Sequence, residues 1–328
     1  MVAVRAIEVR EFGGPEVLVP AEVPEPAAGA GQVVVGLAVA DVIYLDTLLR
    51  SGWGGEHFPV KPPYVPGNGG AGTVLAVGEG VDAAWVGRRV VAPASGAYAE
   101  QVVADAAEIV EIPDGLGFAE AAAMLHDGAT AILLARAGQL REDETVLVAA
   151  AAGGAGSLVV QLARDAGARV VAAARGERKL ALARELGAEH AVDYSADGWQ
   201  HRAREVAGGA GGAGVDLAFD GAGGALGKRV FETVAPGGRF VTYGTSEGGF
   251  ADIDQRTAEE RNVQVTNLLA GGPPAQSVRQ AALVEALDLA AAGRIRPSIG
   301  ATYPLARAED AHASLARRAT VGKSLLVV

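Results

Sequence analysis

Residues Thr145 to Ser157, T-V-L-V-A-A-A-A-G-G-A-G-S, run from a short apolar stretch into a glycine turn and on into an amphipathic stretch. After the turn, Leu158, Val159, Leu162, Ala163 and Ala166 recur at helical spacing, Gly167 ends the helix, and Arg169 to Ala174 form a second apolar strand. A strand, a crossover helix and a second strand make a βαβ unit, which demands a parallel sheet covered by helices. Glycine at the strand-to-helix turn lets backbone N–H groups approach an anion closely, and the helix start adds partial positive charge. Ala151-x-Gly153-x-x-Gly156 therefore reads as a dinucleotide fingerprint with alanine in place of its first glycine. Its other reading is a tight turn in an α/β protein of another kind. A second G-x-G-x-x-G, Gly209 to Gly214, precedes the strand Val215 to Phe219 and opens no helix, so it reads as a linker.

The 328 residues suffice for two domains. From about 121 to 269, helices alternate with apolar strands at 145–151, 169–174, 190–193, 215–219, 238–243 and 263–268, the pattern of a doubly wound sheet. Before it, Val4–Arg10, Gln32–Val39, Gly72–Val77, Arg88–Ala92 and Ala97–Val103 are β-branched or alternating runs separated by Gly- and Pro-rich turns, which predicts an antiparallel β-rich domain. The tail predicts a helix near 276–292, a strand over Ile299–Tyr303, a helix near 306–317 and a strand over Ser324–Val328, which complete the first domain.

A net charge of −11, from 28 basic and 39 acidic residues, opposes a nucleic-acid partner. Glu120, His126 and Asp127 interrupt the richest apolar stretch, and the N-terminus alternates like a strand, so no membrane span or signal peptide is expected and a cytoplasmic location is. The absence of cysteine excludes disulfides, thiolate nucleophiles and thiolate-ligated metals. The five histidines, at 57, 126, 190, 201 and 312, lack metal-ligand spacing and read as surface or internally satisfied residues.

Six segments carry a resemblance along the whole chain: L-D-T-L-L-R-S-G at 45–52, P-Y-V-P-G at 63–67 with A-G-T-V-L-A-V-G-E-G-V at 71–81, G-A-Y-A-E at 96–100, A-A-A-G-G-A-G-S at 150–157, K-L-A-L-A-R-E-L-G-A at 179–188, and A-T-V-G-K-S-L-L-V-V at 319–328. In order and spacing they resemble the zinc-independent branch of the medium-chain dehydrogenase/reductase superfamily, the NADPH:quinone oxidoreductase or zeta-crystallin-like family. The resemblance implies a Rossmann-type doubly wound parallel sheet at 121–269, plus a β-rich GroES-like catalytic domain made of 1–120 and 270–328. It also implies a homodimer, formed by pairing of the strand near Val263–Leu268 with its copy. Zinc-dependent relatives carry cysteine and histidine ligands and a P-G-H-E-type segment, which here reads Pro66-Gly67-Asn68-Gly69, so no metal is expected.

The function so implied is hydride transfer from NADPH to a small electron-poor acceptor, a quinone or an α,β-unsaturated carbonyl. Two alternatives stand beside it: an enoyl-thioester reductase, and a non-catalytic NADPH-binding protein with a structural or regulatory role. Cofactor contacts expected from the fingerprint are Gly153, Gly154, Ala155, Gly156 and Ser157. Arg175 and Lys179, after the second strand, offer cations to a 2′-phosphate, or else form a solvated helix start. The resemblance adds Thr130, Tyr194, Gly221, Gly244, Arg318, Gly322 and Lys323. It places the substrate wall at Ile43 to Trp53, with Ile43, Tyr44, Arg50, Trp53 and Thr130 lining the pocket. Ile43 replaces an asparagine usual in the family, and Trp53-Gly54-Gly55 lies where a tyrosine is usual, so a more apolar pocket with Trp53 as a stacking face is expected. Tyr44 is either a phenolic proton donor or a packed aromatic, and Asp46 and Arg50, four apart, have the spacing of a helical ion pair.

Overall fold

The computed structural model describes residues 2–53, 59–208, 214–269 and 271–328. It divides into two compact units, Met1–Ala129 with Gln276–Val328, and Thr130–Ala275. The linker-like stretch 209–213 and the glycines after Trp53 lie outside the described residues.

The first unit opens with β1 (Ala3–Val9) and β2 (Leu18–Pro24), an antiparallel pair in register from Ala3 opposite Pro24 to Val9 opposite Leu18. The sequence pattern misses β2 because Pro20 and Pro24 interrupt it. Both are tolerated because β2 pairs on one side only, where a missing N–H costs little. β3 (Gln32–Val42) follows, then α1 (Tyr44–Arg50), β4 (Gly69–Val77), β5 (Arg89–Pro93), β6 (Gln101–Asp105) and β7 (Val110–Glu111). β6 begins four residues later than expected, since Tyr98 and Ala99 are drawn across to β1 instead. Next come α2 (Phe118–Leu125) and α3 (Asp127–Gly138). The first unit extends through α2 to Ala129, beyond the boundary expected at 120, because the Ala121–Leu125 face of α2 is buried against β3 and β4.

The second unit is a six-stranded parallel sheet of β8 (Thr145–Ala149), β9 (Arg169–Ala174), β10 (His190–Asp193), β11 (Val215–Asp220), β12 (Val234–Thr242) and β13 (Gln264–Asn267), in spatial order β10-β9-β8-β11-β12-β13. Its crossovers are α4 (Gly154–Asp165), α5 (Glu177–Glu185), α6 (Trp199–Ala207), α7 (Gly224–Glu232) and α8 (Gln255–Glu260). This is a Rossmann-type order, in which the strand sequence reverses direction between β8 and β11. Trp199, Phe219 and Phe240 are fully buried, and Phe231 meets Phe240 edge-on at 5.5 Å. β12 starts at Val234, ahead of the expected 238, because the chain keeps pairing with β11 through a register shift despite Pro236 and two glycines.

The chain then returns to the first unit with α9 (Gln276–Ala291), β14 (Ile299–Pro304), α10 (Ala308–Ala316) and β15 (Lys323–Val327). Its large sheet runs β14-β15-β3-β4-β5-β7, with β6 also on β3. β3, paired with three strands, reads as a near-continuous apolar run because it is buried along most of its length. Among the described residues no single helix is long and apolar enough to cross a membrane.

Candidate functional site

The parallel registers level the carboxyl ends of the strands in the second unit: Ala149 lies opposite Ala173 and Asp220, Ala174 opposite Asp193, and Asp220 opposite Thr242. At the end of β8 the turn is sharp, and the left-handed residue is Ala150, with φ of 55°. Gly153 caps α4, and a Cβ on Gly156 would stand 2.4 Å from the Ala150 carbonyl, so only glycine lets helix and strand approach this closely. The first-turn N–H groups of Gly154, Ala155 and Gly156 have no partner within the helix, an arrangement that suits an anion. Ser157, the next residue, is engaged within the helix start. It is fully buried, its Oγ donates to the Gly154 carbonyl at 2.8 Å and its N–H to Gly153 at 2.9 Å.

Arg175 is exposed beyond β9, and Lys179 is half-buried in the first turn of α5. Asp193, ending β10, accepts from the Gly176 N–H at 3.0 Å and from the Ser195 N–H at 2.8 Å, which pins the turn carrying Arg175. Burial opposes the Asp193 charge, but the Ser195 and Gly176 hydrogen bonds and nearby Arg175 outweigh it and hold the carboxyl below its ordinary range. Tyr194 packs edge-on to Trp199 at 6.4 Å. At the next two strand ends Gly221 and Gly244 are in contact, since a Cβ on Gly244 would meet the Gly221 carbonyl at 1.9 Å. Asp220, fully buried, fixes this corner by accepting from Ala222 and Gly223 N–H, each at 3.0 Å, and from Thr242 Oγ1 at 2.9 Å; burial nevertheless raises its pKa. Thr130 is half-buried in α3.

In the first unit β3 leads straight into α1. Ile43 is the N-cap of α1, and its N–H donates to Asp46 Oδ2 at 3.0 Å. Tyr44 and Trp53 are exposed, at 36% and 46%. The helical pair expected between Asp46 and Arg50 does not form, because both side chains turn inward. Asp46 accepts from Asn68 Nδ2 at 2.6 Å and Tyr98 Oη at 3.1 Å, while Arg50 is 5% exposed and its Nε and Nη1 find no hydrogen-bond partner among the described residues. Arg50 is thus part of the interior. Burial, with a contribution from Asp41, pushes the Asp46 carboxyl up to about 6. Tyr98 Oη also meets His312 Nε2 at 2.9 Å, and burial, reinforced by Arg50, pulls His312 down to about 3.

Pattern reasoning missed a second buried cluster in the same unit. Lys323, expected at the cofactor, is instead 5% exposed, with Nζ 2.5 Å from Asp41 Oδ1 and 2.8 Å from Asp127 Oδ2. The contact to Asp41 is an ion pair rather than an aligned hydrogen bond. Burial disfavours the Lys323 charge, but Asp127 and Asp41 overcome it and raise its pKa. Burial likewise opposes the Asp41 charge, and Lys323 and His126 prevail to lower its pKa. His126 Nδ1 lies 2.7 Å from Asp41 Oδ2. Arg318 is exposed with φ of 55°, and Gly322 is buried with φ of 74°. Among the described residues no three His, Asp or Glu side chains gather as metal ligands.

Family models place this chain among known proteins: an alcohol dehydrogenase GroES-like domain matches residues 29–114 and a zinc-binding dehydrogenase domain matches 154–289. A quinone oxidoreductase of Pseudomonas aeruginosa is 32% identical over 98% of this chain and 99% of its own length. A 2-haloacrylate reductase of a Burkholderia species is 30% identical over 99% of both. The structure of Escherichia coli quinone oxidoreductase complexed with NADPH superposes with a TM-score of 0.89, at 29% identity, over 99% of this chain and 100% of that one. With its fold, its glycine cradle and its relatives in agreement from end to end, the chain belongs to the quinone oxidoreductase family of the medium-chain dehydrogenase/reductases.

Proposed function

We propose that this protein is an NADPH-dependent oxidoreductase that passes hydride, without a metal ion, to a quinone or an α,β-unsaturated carbonyl. The observation carrying the reading is the α4 cradle followed by two cations at the adjacent strand end, in a chain whose relatives are named for quinone and haloacrylate reduction. The residues fit the cofactor: Gly156 keeps the cradle open to a pyrophosphate, and Arg175 and Lys179 suit a 2′-phosphate that a ribose hydroxyl could not replace. Thr130, Tyr194, Gly221, Gly244 and Arg318 complete the proposed contact set. NADPH supplies the hydride from its dihydronicotinamide ring. The protein's own part is to orient the acceptor and exclude water, with Ile43, Tyr44 and Trp53 as an apolar wall. A quinone reduced by hydride becomes an anion able to take its proton from water, so quinone turnover demands no protein acid. Screening NADPH oxidation against quinones, enones and enoyl-thioesters tests the reading, and turnover confined to enoyl-thioesters would replace it.

Two further properties belong to this reading. Asn68 stands where zinc-dependent relatives carry a histidine, and it is engaged by Asp46, so elemental analysis of purified protein should find no stoichiometric zinc. Stoichiometric zinc would overturn the metal-free chemistry. β13 is an edge strand with Val265 39% exposed, and an exposed edge invites pairing across a two-fold axis. Sedimentation at micromolar concentration should show a homodimer, and monomer alone would count against pairing through β13.

A further inference from the structure

His126 sits between α2 and α3, and its imidazole is held by a carboxylate that cannot turn away. Asp41 is fully buried, with one oxygen on His126 Nδ1 at 2.7 Å and the other on Lys323 Nζ at 2.5 Å. The His126 side chain is 32% exposed, and its Nε2 enters no hydrogen bond among the described residues and is not buried. One nitrogen is thus anchored and the other is presented outward, with a buried negative charge behind the ring. That is the arrangement by which a carboxylate orients an imidazole. Lys323 and Asp127 complete a chain of alternating charge, so Asp41 remains ionised without leaving a net buried charge of one sign.

The position of the dyad suits an acceptor site. Asp41 precedes Ile43 and Tyr44 at the same strand-to-helix corner, and Asp46, which caps that corner, senses the charges of both Asp41 and His126. On the other side, α3 continues from His126 towards Thr130. By chain position Asp41 thus adjoins Ile43 and Tyr44, where the wall assigned to substrate begins.

We propose that His126, positioned by Asp41, is the proton donor that admits α,β-unsaturated carbonyls as acceptors, an assignment that rests on the NADPH-dependent reductase reading. Hydride from NADPH forms a C–H bond at the β-carbon, the C=C electron pair moves to give an enolate, and NADP+ is left. The enolate then takes the proton from His126 Nε2 at its α-carbon or oxygen, and the neutral imidazole regains a proton from water. His126, with Nδ1 held on Asp41 at 2.7 Å and Nε2 turned outward, has the geometry of a positioned proton donor.

The test compares acceptors in the NADPH-supplied enzyme. In His126→Asn, and in His126→Gln as a second variant, the ratio of enone to quinone turnover should fall about a hundredfold or more, the scale of losing a general acid. Added imidazole should restore enone turnover to His126→Ala, which a merely structural histidine would not allow. A ratio within a few-fold of wild type in folded variants overturns the assignment. So does a loss that appears in Tyr44→Phe instead, or a wild-type enzyme that reduces quinones and no enone. A wild type that turns over no acceptor at all defeats the reductase reading itself, which separates the two failures.

Discussion

Replacing Lys323 with methionine should destabilise the protein by about 3–5 kcal/mol at neutral pH, the range for removing one partner of a buried ion pair. The side chains are similar in size, so the loss would come from charge rather than from a cavity. Asp41 would keep only His126 as a partner, and Asp127 would lose a contact of 2.8 Å. The sign with pH follows from the depressed Asp41 pKa. Its ionisation contributes stability above the ordinary carboxylate range and loses it as pH falls through the native value. In the methionine variant a protonated Asp41 needs no counter-ion, so the deficit relative to wild type should narrow in acid. Urea denaturation at neutral and acid pH reads both effects. A loss below about 1 kcal/mol at neutral pH would place this ion pair in the range of exposed ones.

Changing Arg175 and Lys179 together to alanine should weaken NADPH binding on the order of a hundredfold or more, because charge-assisted hydrogen bonds to a phosphate contribute roughly 1.5–3 kcal/mol each. NADH affinity should hardly move, since a ribose hydroxyl offers these cations little. Asp193, which pins the turn beneath Arg175, keeps the loop in place in the variant. Calorimetric titration of both cofactors distinguishes a phosphate clamp from a solvated helix start. Equal effects on the two cofactors, or none on either, would remove Arg175 and Lys179 from the site and shift attention to Tyr194.

What could be read from the sequence was whatever depends on periodicity and local turns. The β8–α4–β9 unit, the alternation that builds the parallel sheet and the C-terminal return to the first unit are all of that kind, and the observed elements differ mainly at their ends. β2 escaped because an edge strand tolerates prolines that a pattern reads as turns. The side chains that turn inward share a different cause. The Asp46–Arg50 pair was assigned by spacing, Ser157 by motif and Lys323 by the family resemblance, and none of these says which face of an element is buried. Asp41 was nonetheless a visible signal. A carboxylate inside the run V-V-V-G-L-A-V-A-D-V must find partners when that strand is buried, and those partners are His126 and Lys323, far apart in the chain, with Asp127 held in turn by Lys323. His126, which also reads as a surface or internally satisfied histidine, and Asp127 interrupt an apolar stretch in the sequence; in the fold the first pairs with Asp41 and the second with Lys323.

The central claim is turnover, and steady-state NADPH oxidation by the purified protein in the presence of a small quinone tests it most directly. The account predicts saturable oxidation that exceeds the rate without acceptor, consumes NADPH and quinone in equal amounts, and persists in the presence of a metal chelator. Tight NADPH binding with no oxidation on any quinone or α,β-unsaturated carbonyl would contradict it and identify a nucleotide-binding protein in place of an enzyme.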